Sequence, residues 1–123
     1  MFRPSNKEKI NKARDASNAV RAGERRIVLE KHFSADLAKL PVSINSEAAF
    51  WKLIEDLLSE IISGGSASFY AGKHPPERSY EPQIQNMELW PYCWNSAVCG
   101  CRMYLKFAVQ GGVYFHVDCH EST

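Results

Sequence analysis

The sequence predicts an α+β fold, with N-terminal helices packed on one face of a small, mostly antiparallel sheet. Three observations predict it. Helical hydrophobic spacing is concentrated in the first half of the chain. The second half is built of short β-branched and aromatic runs separated by prolines and glycines. The connections among those last runs are local, which suits antiparallel neighbours.

The elements follow in order. In "PSNKEKINKARDASNAVRAG", Ser5 and Glu8 form a capping box, and Ile10, Ala13, Ala16, Ala19 and Val20 share a stripe. Gly23 stands where a helix terminates. "ERRIVLEKHF" predicts a short strand over 25–32, and "SADLAKLP" a compact helix capped by Ser34 and stopped by Pro41. "SEAAFWKLIEDLLSEIISGG" is the clearest helix, capped by Ser46 and ended by Gly64-Gly65. Its stripe of Phe50, Ile54, Leu57, Leu58, Ile61 and Ile62 is assigned to the core. "SASFYAG" predicts a strand and "KHPPERSYEPQIQ" a loop, since three prolines preclude regular structure there. "NMELWPYCWNSAVCG" predicts a strand over 86–90 broken by Pro91, then turns. The chain ends in a hairpin around Gly111-Gly112.

With 123 residues, 45% hydrophobic and 24% charged, the chain is expected to be one globular domain, residues 1–123. No apolar run reaches the roughly 20 residues of a membrane helix. The N-terminal segment lacks the apolar stretch of a signal peptide, so a cytoplasmic location without membrane attachment is expected. The four cysteines are then expected to be free thiols. Net charge is +1, but residues 1–32 hold nine Lys/Arg against four Asp/Glu. Such asymmetry suits a polyanionic or acidic partner, and equally a solvated helix face.

The hairpin "CRMYLKFAVQGGVYFHVDCHEST" holds the candidate chemistry. If side chains alternate without interruption, Met103, Leu105, Phe107, Val113, Phe115, Val117 and Cys119 share the core face. Arg102, Tyr104, Lys106, Tyr114, His116, Asp118 and His120 share the other, which should be open. Keeping these sets together requires a three-residue loop, Gln110 to Gly112. Leu105 then lies opposite Val117, Tyr104 opposite Asp118, Lys106 opposite His116 and Arg102 opposite His120.

That polar face suits acid–base chemistry on a phosphodiester. Cleaving RNA without a metal needs a base for the 2′-hydroxyl, cations for the phosphorane and an acid for the leaving oxygen. His116 or His120 suits the acid and base roles, Tyr104 can donate a proton, and Lys106, Arg102 and Lys73 can supply charge. The same residues also describe an ordinary solvated sheet face. Zinc is disfavoured because no C-x₂-C pair occurs, no cysteine carries a nucleophile signature, and "SGGSAS" lacks a Walker lysine. No metal and no cofactor are therefore expected.

The order of these elements, with "AVRAG", "ADL", "SFYAGK" at 68–73, "MYLKF" at 103–107 and a terminal "CHES", resembles the MqsR family of bacterial mRNA interferase toxins. These belong to the wider RelE/ParE-type fold. The resemblance implies a RelE-like scaffold, endonucleolytic cleavage of mRNA with or without the ribosome, and neutralisation by a cognate antitoxin. It implies catalytic roles for Tyr104, Lys73 and His120; from the hairpin pattern itself, Arg102, Lys106 and His116 are expected to bind substrate. The family lysine directly follows "FY", whereas Ala71 stands there in this chain. A non-enzymatic protein-binding module, of an immunity, antitoxin-like or gyrase-binding kind, is the alternative on the same scaffold.

Overall fold

A computed structural model describes residues 5–64, 69–72 and 76–122. Helix α1 spans Asn6–Arg21, and its capping box forms: Ser5 Oγ accepts from the Glu8 amide at 3.1 Å, and Glu8 Oε1 accepts from the Ser5 amide at 3.4 Å. Gly23, with φ of +79°, then turns the chain in the left-handed region that glycine adopts without strain. Strand β1, Arg25–Ile27, is shorter than expected, because helix α2, Glu30–Ala38, begins before Ser34. The cause is tertiary. Phe33 meets Phe50 edge-on at 4.8 Å, and Phe33, Leu37 and Leu40, at helical spacing, all pack on the core. Helix α3, Glu47–Ser63, is capped by Ser46 and closed by Gly64. Its buried stripe is the expected one widened by Trp51 and Leu53, with Ile62 only half-buried.

Strands β2 (Trp90–Ser96), β3 (Cys101–Gln110) and β4 (Val113–Glu121) complete a four-stranded sheet of order β1-β4-β3-β2. Strand β1 runs parallel to β4 and the other pairs are antiparallel, so the sheet is mixed. The fold is α+β, with three α-helices among the described residues. Ala13, Ala16 and Val20 of α1 and Ile54, Leu57, Leu58 and Ile61 of α3 cluster with Trp94, Met103, Leu105, Phe107 and Tyr114 of the sheet. No helix among the described residues is long and apolar enough to cross a membrane.

Two strand expectations are corrected. Strand β2 passes through Pro91 instead of breaking there. In an antiparallel strand a residue's N and O point to the same side, and the Pro91 carbonyl accepts from Ala71 N, on the side away from β3. The missing N–H therefore faces outward, where proline is tolerated. In "SASFYAG", residues 66–68 lie outside the described residues; the rest forms a single bridge, Tyr70 to Tyr92, in place of a strand.

Residues 73–75 of the expected loop lie outside the described residues; 76–85 form a strap across the sheet face opposite the helices. Arg78 bridges Glu88, Leu89 N donates to Glu77 O at 2.8 Å, and Pro82–Ile84 makes a 3₁₀ turn. Ile84 and Leu89 join Val28, Ala108, Phe115 and Val117 in a second, smaller core. The face expected to be open is thus half covered.

Glu60 ties α3 to the β2–β3 turn. Its carboxylate accepts from Ser96 Oγ (2.6 Å), Ala97 N (2.7 Å), Val98 N (3.2 Å) and Trp94 Nε1 (3.3 Å). Desolvation raises the carboxyl pKa, but these four bonds outweigh it and hold it below 4.5. Glu60→Ala strands the indole and two turn amides, and should cost about 1–3 kcal/mol. The check is a urea midpoint against pH. The contribution should be present above pH 4.5 and lost as pH falls through the lower folded value. A Glu60→Ala midpoint equal to wild type at pH 7 would remove this role.

Candidate functional site

The site follows from how β3 and β4 pair. The hairpin loop has two residues, Gly111 and Gly112, with φ of +61° and +76°, as such turns require. Gln110 pairs with Val113, Val109 with Tyr114 and Phe107 with His116. A β-bulge at Lys106/Phe107 then shifts the register, so Lys106 pairs with Asp118, Leu105 with Cys119 and Tyr104 with His120. The expected three-residue loop and its register are therefore wrong. One extra residue in a bulged strand changes which face later side chains take. Before the bulge Tyr114 and His116 face the helices; beyond it Cys119 does. Phe115 and Val117 pack under the strap instead.

His116 is consequently not a substrate-binding residue of an open face. It is only 6% exposed, sits edge-on to Phe50 at 4.9 Å, and its Nδ1 is 3.1 Å from Tyr114 Oη. Burial lowers its pKa from 6.5 to about 3, so the ring is neutral. Because the unfolded chain takes up this proton first, stability falls as pH falls from 6.5 toward 3. The slope should approach about 1.4 kcal/mol per pH unit. Denaturant midpoints between pH 7 and 5 measure it apart from Glu60. His116→Gln should flatten the slope; an unchanged slope would exclude His116 as its source.

The remaining hairpin residues do assemble. Arg102, Tyr104 and Lys106 alternate with buried Met103, Leu105 and Phe107, so all three face away from the helices. Tyr104 and His120, opposite each other, stack with ring centroids 5.0 Å apart and planes inclined by 21°. His120 Nδ1 lies 2.9 Å from the Glu121 carbonyl oxygen. A carbonyl only accepts, so Nδ1 carries the hydrogen. That leaves Nε2 to take or release a proton, 3.5 Å from Asp118 Oδ2. Among the described residues, the side chains of Lys106 and Arg102 make no hydrogen bond or ion pair. Lys73 lies outside the described residues.

Desolvation raises the Tyr104 pKa, and the charges of Asp118, Glu77 and Cys93 add to it. The phenol is thereby kept as a proton donor. Cys93 lies across the ladder from Tyr104 on β2, and its Sγ is 3.3 Å from Ser122 Oγ. A cavity of about 130 Å³ adjoins Tyr104 and Lys106, walled by Ala71, Gly72, Glu77, Leu89 and Pro91. Pockets for whole small molecules run to roughly 300–1,000 Å³, so this one suits a single ring system. On the other side of His120 a wider cleft of about 470 Å³ includes Asp36 and Lys39 from the end of α2.

Sequence reasoning did not single out Glu77 or Lys39, and counted Cys93 only among the cysteines expected to be free thiols without placing it beside Tyr104. The alternating burial of "WPYCWNS" could have placed Cys93 on this face had Pro91 not been read as a break. No local signal brings the strap or α2 to the hairpin. Among the described residues no group of three or more His, Cys, Asp or Glu is placed to hold a metal ion. No known protein family, curated protein or solved structure matches the chain.

Proposed function

We infer that the chain is a small toxin-like endoribonuclease on a RelE-like scaffold. It would cleave mRNA in the cytoplasm by acid–base catalysis and be restrained by a cognate antitoxin. The observation that carries this reading is the Tyr104–His120 stack, with Asp118 on the imidazole and, on the same face, two cations without a partner among the described residues. His120 Nε2 can take the 2′-hydroxyl proton as that oxygen attacks phosphorus. Tyr104 can give its proton to the departing 5′-oxygen, leaving a 2′,3′-cyclic phosphate. Lys106 and Arg102 can neutralise the charge that builds on the phosphorane. The cavity beside Tyr104 has room for one base of the substrate.

The test is purified protein with a defined RNA, with and without ribosomes, in the presence of EDTA. Fragments ending in a cyclic phosphate are expected. Intact RNA under both conditions would sink the nuclease reading. One observation favours a second reading, a protein-binding module: the strap covers half of the face, and Glu77 places a carboxylate at its rim. Intact RNA together with capture of a defined antitoxin-like partner on this face would select it.

A further inference from the structure

A second feature lies among the helices. Between α1 and α3 a solvent-open groove of about 300 Å³ is lined by Arg14, Ser17, Asn18, Arg21, Ser59, Ile62 and Ser63. None of these residues belongs to the sheet. On α1, Arg14, Asn18 and Arg21 recur at helical spacing and so lie along one face. No carboxylate lines the groove; two guanidinium groups, three hydroxyls and one carboxamide do.

Two of these groups are held ready in an unusual way. Ser17 is only 4% exposed, yet its hydroxyl makes no hydrogen bond to any described residue. A buried hydroxyl without a partner is costly, and a native structure rarely keeps one without cause. The Arg14 guanidinium likewise has no hydrogen bond or ion pair among the described residues. Arg21, by contrast, reaches Ser59 Oγ at 3.4 Å and Glu55 at 3.8 Å. Glu55 offsets part of the Arg21 charge, and the C-terminal carbonyls of α3 place some negative potential near Ser63. Both effects leave Arg14 as the principal free cation and Ser17 as the principal free donor.

We propose that the α1–α3 groove is a phosphate-binding site, in which Arg14 and Arg21 flank the oxyanion and Ser17 completes its hydrogen bonds. A tetrahedral phosphate offers three or four acceptor oxygens, matching a planar guanidinium fork beside single hydroxyl donors better than a carboxylate would. The phosphate could be carried by a nucleic-acid backbone or by a free phosphorylated metabolite; the recognition chemistry is shared. The site stands apart from the sheet face and does not depend on whether that face cleaves RNA.

The experiment titrates the full chain with inorganic phosphate at constant ionic strength, followed by amide NMR and calorimetry, with chloride as control. Saturable shifts at residues 14–21 and 59–63 are expected. Arg14→Gln should weaken binding about tenfold or more, the loss of one charge-assisted hydrogen-bond donor. Ser17→Ala should weaken it several-fold while the thermal midpoint holds or rises, because an unsatisfied buried hydroxyl is removed. Arg26→Gln, an exposed charge on β1, should bind as wild type does. Competition then separates the sources. Displacement by a short single-stranded RNA but not by ribose 5-phosphate assigns the site to a nucleic-acid backbone; the converse assigns it to a metabolite. Phosphate no better than chloride, or undiminished binding by both Arg14→Gln and Ser17→Ala, overturns the site.

Discussion

Tyr104→Phe and His120→Ala should each reduce RNA cleavage by about 10²–10⁴-fold, the usual cost of removing a general acid or base. Neither should move the thermal midpoint appreciably. Tyr104→Phe keeps the half-buried ring and its place against His120, removing only the hydroxyl. His120 is partly exposed, and among the described residues its ring bonds the neighbouring Glu121 carbonyl and Asp118. Substitutions of that kind usually stay within about 0.5 kcal/mol. The two readouts belong together, since unfolding would also abolish cleavage. Lys106→Ala should lower the rate with a smaller change in the pH profile, because it contributes charge and no proton. If both Tyr104→Phe and His120→Ala cleave at the wild-type rate, the stacked pair is not catalytic.

Phe50→Ala is expected to have the largest effect on stability, about 3–5 kcal/mol, as for other buried Phe truncations. Phe50 is 1% exposed and meets three rings edge-on: Phe33 at 4.8 Å, His116 at 4.9 Å and Trp51 at 5.0 Å. Its removal leaves a cavity where α2, α3 and β4 meet. The loss includes transfer free energy, edge-to-face contacts and the cavity itself. Helix α2 should suffer first. It has no fully buried residue of its own and no side-chain cap at its start. Hydrogen exchange should therefore accelerate in α2 beyond the change seen in α1. A loss below 1 kcal/mol would mean that the aromatic cluster is not the keystone of the core.

The parts of this fold that could be read from the sequence are those whose causes are local. Ser5 with Glu8, Ser46 and the glycines at 23 and 64 mark the ends of α1 and α3 within a few residues of themselves. The start of α2 could not be read that way, because it depends on Phe33 reaching Phe50 across the core. Pro91 looked like a break because the side of the strand it would face was unknown. The hairpin was harder. A constant alternation is the natural assumption for nine residues, and the bulge violates it midway. So His116 fell on the wrong face, while Tyr104, Lys106 and Arg102 on the unbulged strand fell on the right one. His120 also reached that face, but opposite Tyr104 instead of Arg102. The strap over Ala108, Phe115 and Val117 has no local signal at all; only the need to cover that apolar patch demands it.

The bulge also sets which genetic changes β4 can survive. Many side chains could replace Val117, since it is only half-buried under the strap. Straightening the ladder while keeping all nine residues is a different lesion. An unbroken ladder from Val113 onward would turn the last residues of the strand over, aiming Asp118 and His120 at the helices and Cys119 at solvent. A carboxylate and an imidazole would enter a space now filled by Leu105, Cys119 and their neighbours. Descendants of this sequence can therefore lose the bulge only together with its extra residue, since a β4 shortened at Val117 pairs without interruption and keeps Asp118 and His120 on the outer face.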